Sequence, residues 1–233
     1  MNLLFLSRWY PFPAINGSKI RVFNLIRELS ASHTVTLVSF ADQPVSAEHV
    51  AEMRRYCADV HVIDYRRFQP NSWRSFVGFF SPQPRSFIDT HSDELEKRIA
   101  DLTRRQRFDA VIASQFDMAP YALELRDTPK IFEELEISLF YDRYAQETRP
   151  LARFRKYLTW RKWAGYMRQV LAGFDAVTVV SEPEIAPALR VAPGYDRLTV
   201  VPNGADLQRL NGDFGPVEPD SVVYTGAMTY HVN

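Results

Sequence analysis

The sequence predicts an α/β fold, a doubly wound, mostly parallel sheet covered by helices on both faces. Three observations carry this. Short runs such as Leu3-Leu4-Phe5-Leu6 place apolar residues on consecutive positions, which suits strands buried on both faces. Helical patterns separate these runs and give the β-α-β-α rhythm of parallel strands joined by crossovers. The 233 residues, 46% hydrophobic and 24% charged, are also enough to bury a substantial core.

Taken in order, the first strand is Asn2–Leu6, and residues 8–29 follow it with an aromatic, proline-stiffened loop, an Asn16-Gly17-Ser18 turn and a helix over 18–32. Ser18 is placed to cap that helix. Lys19 and Arg21 bring positive charge to a first turn where the macrodipole favours acids, and this mismatch suits an anionic ligand over the exposed N–H groups. Gly17 would let a phosphate come close. A plain tight turn with its basic residues in water explains the same residues, because the spacing matches neither G-x-G-x-x-G nor G-x-x-x-x-G-K-[ST]. Trp9 and Tyr10 read either as an apolar platform for a ligand or as core aromatics.

The strands Thr34–Phe40 and Val60–Tyr65 flank a helix over 46–57. Residues 65–85 mix Trp73, Phe76, Phe79 and Phe80 with arginines and carry no assigned element. A helix over 91–106 leads to the strand Asp109–Ser114, a helix over 118–126 and the strand Lys130–Glu133. Glu133, Glu134 and Glu136 then cluster at the strand's end, either as hydrogen-bonding carboxylates or as ordinary first-turn acids of a helix over 137–148. The helix over 151–174 belongs to a stretch, 149–174, with seven basic residues and no acidic one. Tyr157, Trp160, Ala164, Met167, Leu171 and Phe174 recur there at helical spacing, opposite Arg161, Lys162 and Arg168. Docking on the sheet and lying on an anionic bilayer are its two readings. The strands Asp175–Ser181 and Leu198–Pro202 enclose a helix over 182–191, and turn formers at 211–220 separate them from a further strand, Ser221–Gly226.

Composition narrows the chemistry. Lys plus Arg and Asp plus Glu both number 28, so no global charge argues for nucleic acid. One cysteine, Cys57, excludes an internal disulfide, and with five scattered histidines it gives no zinc-type spacing. No run approaches the roughly 20 apolar residues of a membrane span, and a reducing cytoplasm fits.

Three stretches then act together. "NGSKIRVFNLIREL", "VVPNGAD" at 200–206 and "SVVYTGAM" at 221–228, with "DAVTVVSEPE" at 175–184 ahead of the second, resemble the N-terminal half of glycosyltransferase family 4 and its crossing into the second half. The resemblance spans essentially the whole chain. It implies the GT-B arrangement of two facing Rossmann-like domains: an acceptor-side domain over 1–210, a linker over 211–220, and at 221–233 the first strand of a donor-binding domain whose remainder lies past Asn233. It further implies a hexosyl-type transfer from a nucleotide sugar to an acceptor such as a glycan, with retention of configuration; the basic, aromatic stretches at 65–85 and 149–174 point to a lipid-linked or membrane-proximal acceptor, unless 65–85 simply closes the acceptor side and 149–174 docks on the sheet. No metal and no cofactor beyond that co-substrate are required, and no nucleic acid partner is expected. Peripheral membrane contact through 149–174, on the inner face, is part of the expectation.

By the same resemblance Gly17, Ser18, Lys19 and Arg21 face the donor diphosphate, with Gly226 opposite, where backbone donors would stabilise charge on the departing nucleotide. Trp9, Tyr10, Gln115, Asp117 and Glu134 are the acceptor-side candidates. The sequence departs from the family at two places. Where many members carry a histidine after the fourth main strand, Ser114, Gln115 and Asp117 stand instead, and Ala227 and Met228 replace the basic residue expected after Gly226. No residue is assigned as general base, and the chain alone, lacking a full donor site, is expected to be inactive. Two other readings compete: a non-catalytic α/β module paired with a separate donor domain, and a nicotinamide enzyme using Asp42 on a ribose, although the fingerprint turn is missing.

Overall fold

The computed structural model of the chain describes residues 1–133, 137–205, 215 and 219–222. Seven strands alternate with helices. They are β1 (Asn2–Ser7), β2 (Thr34–Ala41), β3 (Asp59–Asp64), β4 (Ala110–Ser114), β5 (Lys130–Glu133), β6 (Ala176–Val179) and β7 (Leu198–Val200). The helices are α1 (Gly17–Ser30), α2 (Ala47–Met53), α3 (Trp73–Val77), α4 (Arg85–Thr90), α5 (Asp93–Arg105), α6 (Ala119–Leu123), α7 (Ser138–Ala145), α8 (Pro150–Ala172) and α9 (Ile185–Val191). The sheet runs β3-β2-β1-β4-β5-β6-β7, and all of these neighbours pair in parallel. The order steps outward from β1 in both directions, as the doubly wound prediction requires.

The consecutive apolar runs divide by the two-residue period of a strand. Leu4, Leu6, Val38, Phe40, Val111, Ala113 and Phe132 join one core with α5, α6 and α8. Leu3, Phe5, Val35, Leu37, Ala110 and Ile112 join the other with Val22 and Ile26 of α1. Burial on both faces is therefore the reason these strands read as unbroken hydrophobic stretches.

Three expectations need correction here. Asn16, not Ser18, caps α1: its backbone is extended and its side-chain Oδ1 accepts from the Lys19 amide at 3.0 Å. Residues 65–85, left without an element, contain α3, and α4 begins at their end. Ser72 caps α3 by accepting from the Ser75 amide at 3.0 Å. The third concerns α8, whose buried stripe is Trp163, Tyr166, Met167, Val170 and Leu171, confined to its C-terminal half. Lys162 and Arg168 do not simply face water, since Lys162 Nζ donates to the Gly78 carbonyl at 2.6 Å and Arg168 Nε to that of Val191 at 2.8 Å. Among the described residues, no helix is long and apolar enough to cross a membrane.

The compact unit built on this sheet runs from Met1 to Asn203. Residues 204–233 form a separate unit, of which 204, 205, 215 and 219–222 are described.

Candidate functional site

Register sets a polar row at the carboxyl edge of the sheet. Ser39 of β2, Ser7 of β1, Ser114 of β4 and Glu133 of β5 are side by side in successive strand pairs. All four are buried. They follow Leu37, Phe5, Ile112 and Ile131 by two residues, so they point to the α1 face, where the apolar layer ends and polar chemistry begins.

A buried ion pair organises that edge. Arg21, near the start of α1, donates from Nε to Glu133 Oε1 at 2.6 Å, while Ser114 Oγ donates to Glu133 Oε2 at 2.7 Å. Arg21 Nη1 reaches Asn203 Oδ1 at 3.0 Å, which ties the start of α1 to the bend after β7. Arg21 Nη2 is buried without a partner among the described residues. Such a pair is costly to desolvate and is held only by these directional bonds. Arg21 is thus a buried member of the edge rather than a charge open at the turn.

Beside this edge the loop from Arg8 to Asn16 borders a cleft of about 750 Å³. Arg8 forms a two-pronged pair with Asp42, Nη1 to Oδ2 at 3.1 Å and Nη2 to Oδ1 at 3.0 Å, and lies 3.9 Å from Asp117. Its guanidinium is 4.1 Å from the Trp9 ring centroid and 3.2 Å from that of Tyr65. Tyr65 donates its hydroxyl to Asp117 Oδ1 at 3.3 Å. Burial pushes the Asp117 carboxyl above its ordinary pKa, with Arg8 and the Tyr65 hydroxyl opposing and Asp42 reinforcing. Burial and the Asp117 charge together raise Tyr65 as well, so Tyr65 remains a donor. Asp42 lines the cleft with Trp9 and keeps acceptor capacity there, whereas Asp117 lines a separate concavity with His91 and Tyr121.

The structure sorts the candidate residues. Gly17 is exposed in the turn, and a Cβ placed there would meet nothing within 4 Å, so its backbone is open to a ligand. Ser18 and Lys19 are half-buried beside it. Trp9, Tyr10 and Lys19 line the cleft together. The Tyr10 ring is nevertheless core, with its hydroxyl donating to the His49 carbonyl at 3.0 Å, which narrows its role to the cleft's floor. Gln115 follows β4 with a left-handed backbone, φ 71°, and its amide donates to the Glu133 carbonyl at 3.1 Å. Such a conformation is uncommon for a residue with a side chain. Glu134 and Gly226 lie outside the described residues. Asp42, the residue the nicotinamide reading would place on a ribose, is paired with Arg8 through both carboxylate oxygens.

Sequence reasoning missed Arg8 as a member of this cleft and Glu133 as the partner of Arg21. A signal was available in the charged or hydroxyl residue that ends each apolar run, as in LFLS-Arg8 and IFE. For a metal, His91, Asp93 and Glu96 bring ligand atoms within 4.8 Å of one another, but this is the exposed, acid-rich first turn of α5 and ordinary helix-start chemistry accounts for it.

Comparison with known proteins adds to this geometry. A family model described as a glycosyl transferase 4-like domain matches residues 16–204. No match to a curated protein sequence was found. Among solved structures, a UDP-glucosyltransferase from Polygonum tinctorium capable of glucosylating indoxyl aligns with TM-score 0.50 at 12% identity, covering 94% of this chain and 55% of that one. Medicago truncatula UGT71G1, complexed with UDP-glucose, aligns with TM-score 0.50 at 12% identity, covering 94% of this chain and 53% of that one. The chain thus spans about half the length of the structures it matches, and at this identity the likeness is one of fold.

Proposed function

The chain belongs to the glycosyl transferase 4-like family, and from that membership we propose that it is the acceptor-side part of an enzyme that moves a hexosyl group from a nucleoside-diphosphate sugar to a saccharide acceptor. A uridine diphosphate sugar is the first donor to test, because UDP-glucose is bound in one of the structures that share the fold. The acceptor is a glycan or lipid-linked saccharide, and transfer proceeds with retention, as the resemblance implies.

The observation that carries this reading is the extent of the family match. It begins at Asn16, the cap of α1, and ends at Gly204, in the bend after β7. The Arg21–Asn203 bond joins those two ends across the carboxyl edge. In this reading the exposed turn at Gly17, with the uncompensated positive end of α1 and Lys19, receives the donor diphosphate. Trp9 stacks on an acceptor ring, and Asp42 accepts from its hydroxyls.

The test is nucleoside diphosphate release by the gene's full product, with UDP-, GDP- and ADP-sugars offered beside soluble saccharides. Release that depends on both donor and acceptor is expected, with Trp9→Ala raising the acceptor KM at least tenfold while donor affinity holds. No release from any donor, with saccharide binding intact, would make the chain a binding module instead.

A further inference from the structure

A second concavity, of about 680 Å³, opens where α4 and the loop before it face α8. Arg85, Arg155, Lys156 and Lys162 line it, and no carboxylate does. Phe79, Leu158 and Trp163 supply its apolar wall. The bond from Lys162 Nζ to the Gly78 carbonyl stitches the two sides together. Burial and the nearby Arg85 charge lower the pKa of Lys162, a repulsion that a bound anion would relieve. Glu147 meets Lys156 at 2.8 Å and is the one acid paired to this cation group among the described residues.

The two segments that line the hollow also carry apolar side chains in water: Phe80 is 82% exposed, Trp73 75% and Leu151 88%, with Phe76 and Phe154 exposed as well. The Phe76 ring packs against both Phe79, which lines the hollow, and Phe80. Residues 66–88 carry four arginines and 149–174 seven basic residues, and neither stretch contains an acid. Insertable aromatic and aliphatic side chains on the segments that build a cation-lined hollow are complementary to an anionic bilayer, whose phosphates meet the cations while the apolar groups enter the acyl boundary. Phe68 lines both this hollow and the cleft beside Trp9, so the two adjoin.

We propose that the hollow between α4 and α8 seats the phosphate of a membrane-resident lipid phosphate, so that the acceptor is a lipid-linked saccharide whose sugar lies in the cleft beside Trp9. The acceptor part rests on the proposed function; the lipid-binding part does not.

Co-sedimentation of the chain with vesicles tests it, using phosphatidylcholine alone and phosphatidylcholine containing phosphatidic acid. At low salt the chain is expected to pellet with the second and not the first. Arg155→Gln with Lys156→Gln should weaken binding roughly 30-fold, the effect of two cations at an anionic surface. Phe80→Ser with Leu151→Ser, exposed positions whose change leaves the fold intact by circular dichroism, should abolish it. Equal pelleting with both vesicles, or none with either, overturns the proposal, as does inorganic phosphate displacing the chain while the Phe80 and Leu151 changes do nothing. Sugar transfer onto soluble saccharides without vesicle binding would remove the lipid seat alone. Vesicle binding with no transfer from any donor would remove the proposed function and leave the lipid seat standing.

Discussion

Glu133 has less than a tenth of its surface exposed, yet it is charged and faces a guanidinium equally enclosed. Two such groups are stable in a sheet edge only because each satisfies the other, with Ser114 and Asn203 taking up further valences. Removing one partner strands the other. Glu133→Ala should therefore cost about 3–5 kcal/mol, read from the urea midpoint, whereas Arg21→Met with Glu133→Leu should cost far less because both charges leave together. Equal losses in the single and double variants would show that the pair is not coupled. Nothing in the local sequence marks this pairing, since the partners are 112 residues apart and meet only through the register of β1, β4 and β5. The sequence did show carboxylates gathering at the end of β5, and strand parity turns Glu133 of that strand inward.

At the scale of single elements the strands were legible because double burial leaves a strong signal, and most boundaries fall within a few residues of expectation. α3 and α4 were not. Each is five or six residues long and is fixed by contacts rather than by periodicity, as when Asp89 accepts from the Ser72 hydroxyl and from the Gln69 amide at 2.7 Å. The cap of α1 was misplaced because Asn16 and Ser18 are both good capping types, and only the extended backbone at Asn16 decides between them. Asn16→Ala should lower stability by about 1 kcal/mol in thermal or urea unfolding, and Ser18→Ala by much less. The reverse order would return the cap to Ser18.

Across the whole molecule one sheet separates two cores, and Cys57 lies in the one beneath α1 and α2. Burial pushes its thiol up to about 12, so the native protein presents almost no thiolate at neutral pH. Labelling by a thiol reagent should therefore rise with urea along the same curve as loss of far-UV ellipticity, reporting opening of the sheet as a unit. Rapid labelling without denaturant would mean that this layer opens independently. The doubly wound sheet was readable from strand rhythm, but the chemistry at the carboxyl edge was not, because it is assembled from the ends of strands distant in sequence. One of its bonds has a mechanical result. β7 is a three-residue border strand, weakly anchored by its ladder alone, and the clip from Arg21 of α1 to Asn203 fastens the chain just past it. Peeling from that border must first snap a charged tether rooted near the middle of the sheet, so the seam where the polypeptide departs is guarded against fraying from its tail.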